Sequence, residues 1–227
     1  MRARAVVAGL AAVVMLTGCG ELEAQLERQV ERGGGTSAQS DVNVKEARAK
    51  LEKLAVKGRA PKTGFDRKKF GPAWADVDRN GCDTRNDILK RDLTDETFKP
   101  GTHDCIVLTG VLEDPYSGKT INFKRGQDTS SKVQIDHLIP LSDAWQKGAQ
   151  QWSDTKRKEF ANDPLNLLAV DGPLNGQKSD SDAATWLPPR RSYWCPYIAR
   201  QVEVKAKYEL WVTRAEKEAM EGILDKC

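Results

Sequence analysis

Val133-Gln134-Ile135-Asp136-His137-Leu138-Ile139-Pro140-Leu141 is the stretch on which the reading of the fold turns. Val133 and Ile135 alternate with polar neighbours, the two-residue period of a half-buried strand. Pro140 stops that strand, because proline has no N–H to give a ladder. The strand therefore ends on an acid followed by a base, Asp136 and His137, with His137 read as a surface-facing group. It is one of only two histidines in 227 residues, so its place at a strand end carries weight. An imidazole near neutral pKa can take a proton from water, yet a half-buried, hydrogen-bonded histidine gives the same dipeptide. The flanking segments decide between the two.

Upstream, Ile106-Val107-Leu108 runs on to Val111 and Leu112, then Asp114-Pro115-Tyr116-Ser117-Gly118 supplies turn chemistry before Ile121 and Phe123, which reads as a β-hairpin. Downstream, Leu165 to Val170 is a compact strand, Asp171-Gly172-Pro173 a turn, and the helix after it carries Asn175. Between the two strands, Trp145, Ala149, Trp152 and Phe160 alternate with Lys147, Lys156, Arg157 and Lys158 as amphipathic helices begun by Ser142 and Ser153. Further out, Val44, Ala47, Leu51 and Leu54 mark a helix from about Asn43 that Gly58 and Pro61 end. Phe65 to Leu93 reads as a loop feeding a short helix through Ile88 and Leu89. Ile198, Val202 and Tyr208 mark a long helix, and Thr213 with Glu216 a capping box for a last one. The class is α+β: one helix-rich domain over residues 43–227 with a small antiparallel sheet.

Hydrophobic residues at 39% and charged residues at 30% are those of a soluble globular chain, and a net charge of +3 permits nucleic acid without requiring it. Arg2 and Arg4, the apolar run Val6 to Leu16 and the sequence Leu16-Thr17-Gly18-Cys19 read as a signal peptide over residues 1–18. The cleavage site resembles a bacterial lipobox, which implies lipidation of Cys19. Residues 19–42, with Gly33-Gly34-Gly35-Thr36-Ser37, read as a flexible tether. The expected location is extracytoplasmic, lipid-anchored or secreted, with the membrane touched only through that lipid and the chain monomeric. In such a compartment the remaining Cys82, Cys105, Cys195 and Cys227 are expected to form disulfides, Cys82 with Cys105 and Cys195 with Cys227, each bracketing one segment. Zinc is disfavoured by the absence of CxxC spacing. The acidic run Asp83-Thr84-Arg85-Asn86-Asp87 is read as a solvated loop lacking the glycine and terminal glutamate of a calcium loop. A serine hydrolase is disfavoured because no Gly-x-Ser-x-Gly is present.

In the order Asp136-His137-Leu138-Ile139-Pro140, then Asn162-Asp163-Pro164-Leu165-Asn166-Leu167, then Asn175-Gly176-Gln177-Lys178, the chain resembles the HNH nuclease superfamily, and within it secreted bacterial proteins related to the C-terminal nuclease domain of GmrSD-type restriction enzymes. The resemblance spans roughly Phe65 to Cys227, including Trp186-Leu187-Pro188-Pro189. It implies a ββα-metal core in which His137 is the general base, Asn166 braces the loop bearing it, and Asp136 and Asn175 hold one divalent cation. The cation implied is Mg²⁺ ahead of Mn²⁺, since carboxylate and amide oxygens suit hard metals. The substrate implied is nucleic acid, DNA ahead of RNA, cut with weak sequence selectivity. Lys178 and, with nothing in the sequence to favour it over Arg125 or Arg157, Arg85 are read as phosphate contacts. The competing reading is an inactive lipoprotein binding module on the same scaffold.

Overall fold

The computed structural model describes residues 43–227, so the expected signal peptide, Cys19 and the tether lie outside the described residues. Helix α1 (Val44–Lys53) starts where the Asn43 side chain accepts the Glu46 N–H, and it buries Ala47 and Leu51. It ends at Lys53, short of Gly58, because Leu54 is already extended. Residues 76–83 form a loop that leads into α2 (Thr84–Asp92), which Asp83 caps through the Asn86 N–H. Read from Asp76, this loop does place Gly81 sixth and an aspartate, Asp87, last, so it departs from a calcium loop less than the reading from Asp83 implies. Its carboxylates are turned onto the loop itself: Asp76 accepts from the Asn80 and Gly81 N–H groups, and the Asn80 amide donates to Asp78 and Asp87.

Strands β1 (Thr94–Phe98), β2 (Val107–Glu113) and β3 (Thr120–Lys124) make an antiparallel sheet in that order. The β2–β3 hairpin is the one the Asp114–Gly118 turn predicts. β1 is absent from that expectation: Thr94-Asp95-Glu96-Thr97-Phe98 has a mostly exposed pattern and an irregular register, so it carries little apolar periodicity to read. The second sheet is β4 (Val133–His137) against β5 (Leu167–Asp171), antiparallel, with Asp136 opposite Leu168 and His137 opposite Leu167. Between them come α3 (Leu141–Gln146) and α4 (Asp154–Asn162). Ser153 caps α4, but α3 starts at Pro140, with Ser142 inside the helix and donating to Asp180 instead. After β5 the chain turns directly into α5 (Gly172–Lys178), then α6 (Trp194–Tyr208) and α7 (Arg214–Leu224), the last with the predicted Thr213/Glu216 capping box.

The β4–β5 pair sits where three apolar clusters meet. Val133, Ile135, Leu167 and Ala169 face α2 and the first sheet. Leu168 and Val170 face α1, α6 and α7, while Ile139 and Leu141 join the cluster around Phe70, Trp145 and Phe160. Cover on both faces is why β5 reads as an unbroken apolar run rather than an alternation. Disulfides Cys82–Cys105 and Cys195–Cys227 close with Cα separations of 5.0 and 5.9 Å, tying the loop before α2 to the β1–β2 loop and the C-terminus to α6.

Candidate active site

Period-two alternation sends Asp136 and His137 to opposite faces of β4. Gln134 and Asp136 share the face toward Tyr116 and α5, and His137 points toward Trp74 and the end of α4. The local pattern therefore splits the acid and the base between two environments at one strand end.

Asp136 is buried at 4% exposure, with both oxygens engaged. The Tyr116 hydroxyl donates to Oδ2 at 2.5 Å and the Lys178 ammonium to Oδ1 at 2.9 Å. Burial, then the negative charge of Asp136, pushes the Tyr116 hydroxyl well above the usual phenol range, so it stays protonated and donates. Lys178 also donates to the His137 carbonyl at 2.8 Å and has no exposed surface. The Lys178 ammonium, read from the sequence as a phosphate contact, is turned inward against Asp136 in this structure. Asn175 sits one turn earlier on α5, half-buried, its amide donating to Gln134 Oε1 at 2.9 Å.

His137 is buried, not surface-facing. Its ring stacks on Trp74 with centroids 5.5 Å apart and planes 14° from parallel, and Nε2 lies 2.8 Å from the Ala161 carbonyl. A carbonyl can only accept, so Nε2 carries the proton and Nδ1 is left as the basic nitrogen; the tautomer follows from this partner. Burial lowers its pKa to about 3, with Arg67 and Lys178 adding to the fall and the Ala161 carbonyl opposing it. The imidazole is neutral across ordinary pH, and burial that lowers its pKa this far also makes it a weak base. The narrow cleft beside it, about 20 Å³, is lined by Arg67, Gly71, Trp74 and Asn162 among others. A wider groove of about 610 Å³, with Lys68, Lys69 and Lys158 on its walls, shares Gly71 with that cleft.

Asn166 is fully buried just before β5. Its Oδ1 accepts the Ile139 N–H at 2.8 Å, its Nδ2 donates to the Ile139 carbonyl at 3.3 Å, and its own carbonyl accepts the Leu138 N–H. It thus clamps the two residues that follow His137. Arg91 and Arg200, which the sequence did not single out, fix the turn around it by donating to the carbonyls of Pro164, Leu165 and Leu167. Asn166→Ala is expected to cost about 1–3 kcal/mol, because both Ile139 backbone groups lose buried partners. Asn166→Asp keeps the acceptor but turns a buried carboxylate oxygen onto the Ile139 carbonyl, so it should be no more stable than Asn166→Ala in urea unfolding.

Arg85 lies away from this group. It is half-buried on α2 and donates to the Val133 carbonyl at 3.3 Å, bracing the start of β4. Burial and then the nearby Arg125 lower its pKa. The structure thus brings Asp136, Lys178, Gln134 and Asn175 together on one face, and leaves Arg85 outside the group. Tyr116, Trp74 and Gln134 are the participants sequence reasoning missed; only Gln134 had a signal, as the same-face neighbour of Asp136 on the strand. Among the described residues, no group of three His, Cys, Asp or Glu side chains is arranged to hold a metal.

The family described as GmrSD restriction endonucleases, C-terminal domain, matches residues 83–223, a span that includes the whole β4–β5–α5 unit. This chain belongs to that family. A protein of the fungus Arthroderma benhamiae, described as an uncharacterized secreted protein, is 38% identical to this GmrSD C-terminal-domain protein over 183 residues, covering 80% of this chain and 84% of the relative. That relative is fungal, so it gives no support to the bacterial source implied by the motif resemblance. No solved structure matches the chain. The family match begins after Trp74 and Arg67, so the wall that stacks on His137 comes from outside the matched span.

Proposed function

We propose that this GmrSD C-terminal-domain protein is an extracytoplasmic endonuclease that hydrolyses phosphodiester bonds in nucleic acid, DNA ahead of RNA, with weak sequence selectivity. The observation that carries this reading is the preorganised His137: fixed in direction through Nε2 and followed directly by the segment Asn166 clamps. In this role Nδ1 takes the proton of the attacking water, and Asn166 acts as a positioning residue that holds the direction of the ring.

Asp136 and Asn175 are the residues that would hold one divalent cation, Mg²⁺ ahead of Mn²⁺. Asp136 and Asn175 lie on one face and carry a carboxylate and an amide, the hard oxygens such an ion takes, with the Lys178 ammonium now held on Asp136. Such an ion would neutralise charge on the leaving oxygen. Lys68, Lys69 and Lys158 on the adjoining groove are suited to the phosphates of a bound strand. The four paired cysteines and the secreted relative support an oxidising, extracytoplasmic setting; lipidation at Cys19 is part of the proposal.

Labelled DNA and RNA strands of one sequence, incubated with purified protein and Mg²⁺ or Mn²⁺, test the substrate. DNA is expected to be cut faster and EDTA to stop the reaction. RNA cut faster than DNA would reverse the substrate assignment, and cleavage undiminished by EDTA would remove the cation from it.

A further inference from the structure

An ammonium with no exposed surface remains charged only against a compensating anion. For Lys178 that anion is Asp136, whose remaining oxygen is taken by Tyr116, so both oxygens of the carboxylate are engaged by protein donors. Lys178 is tied at a second point, through the His137 carbonyl, to the peptide that carries the candidate base. The position beside Asp136 is thus already neutralised from within the chain.

We propose that Lys178 is the resident cation of this site, and that a divalent cation binds Asp136 only as the Lys178 ammonium leaves it for a phosphate of the incoming strand. The inference rests on the reading of Asp136 as a cation ligand. The reason is electrostatic. A divalent ion placed beside a retained ammonium on one buried carboxylate leaves uncompensated positive charge where little water screens it. A phosphodiester supplies both the missing negative charge and a new acceptor for Nζ. Metal and substrate binding are then coupled, and by linkage each tightens the other.

The test is Mn²⁺ binding, followed by the electron paramagnetic resonance signal of the free ion, to wild type, Lys178→Met, Asp136→Asn and the double variant. Lys178→Met is expected to bind Mn²⁺ tighter by roughly tenfold or more, with the gain lost when Asp136→Asn is added. Equal affinity in wild type and Lys178→Met, both folded, overturns the proposal. Should Lys178→Met fail to fold, the wild type decides. A short DNA oligonucleotide is expected to tighten its Mn²⁺ binding beyond the increment seen with Asp136→Asn, which accounts for ions held by the DNA alone; an increment no larger than that overturns the proposal. Failure of the nuclease reading is separable: a wild type that cuts no substrate yet shows the Lys178→Met gain keeps the exchange and loses the activity. Cleavage by wild type with no such gain does the reverse.

Discussion

His137→Ala is expected to lower cleavage by about 10²–10⁴-fold, the range a positioned general base contributes. The variant removes more than chemistry. The ring stacks on Trp74 and bonds the Ala161 carbonyl, so its loss should also cost about 1–3 kcal/mol of stability. Activity is therefore compared well below the unfolding midpoint of both proteins, with near-ultraviolet circular dichroism confirming that the variant is folded. A folded His137→Ala that cuts at the wild-type rate moves the base elsewhere.

The largest stability effect is expected away from the site, at Lys147. This lysine has no exposed surface, and its ammonium touches Asp143 at 2.7 Å, Asp182 at 2.9 Å and Glu216 at 2.7 Å. Lys205 and Arg59 complete the group, so three carboxylates meet three cations, and of the six only Arg59 has more than a trace of exposure. Lys147→Met leaves buried carboxylates short of a counter-charge and should cost about 3–5 kcal/mol in urea unfolding; a loss under about 1 kcal/mol would mean the cluster contributes no more than a surface pair. The same cluster sets a pH dependence. Burial pushes the Asp182 carboxyl up, but Lys147 and Arg59 outweigh it and hold the pKa below the usual aspartate value. Its contribution is therefore present above the unfolded pKa of about 3.9 and lost as pH falls through the folded value. Thermal midpoints that fall less steeply on acidification in Asp182→Asn than in wild type would bear this out; equal slopes would contradict it.

These two predictions differ in how far the sequence supports them. The ββα unit was legible because its signals are local: Val133 and Ile135 alternate, Leu165 to Val170 is continuous, and Asp136-His137, Asn166 and Asn175 fall in the family's order. Even there, the sequence does not show that a strand end next to Pro140 is covered, since the Trp74 that buries His137 lies more than sixty residues upstream. The burial of Lys147 and Lys178 was not legible in the sequence, for one physical reason. A lysine inside a polar-apolar pattern reads as solvated, and only the three-dimensional meeting with Asp143, Asp182 and Glu216, or with Asp136, makes burial tolerable. Ser142 was read as a helix cap because it precedes an apolar run, yet Pro140 already sets the helix start and frees that hydroxyl for Asp180. Tyr116 gave only a turn signal, although its hydroxyl reaches Asp136 from the far side of the hairpin.

The central claim, that this GmrSD C-terminal-domain protein cuts nucleic acid internally, is tested most directly on supercoiled plasmid DNA, which has no ends for any other mode of attack. With purified protein and Mg²⁺, the account predicts conversion to nicked and then linear forms, abolished by EDTA. Plasmid that stays supercoiled with both Mg²⁺ and Mn²⁺, in the presence of folded and disulfide-bonded protein, would contradict it.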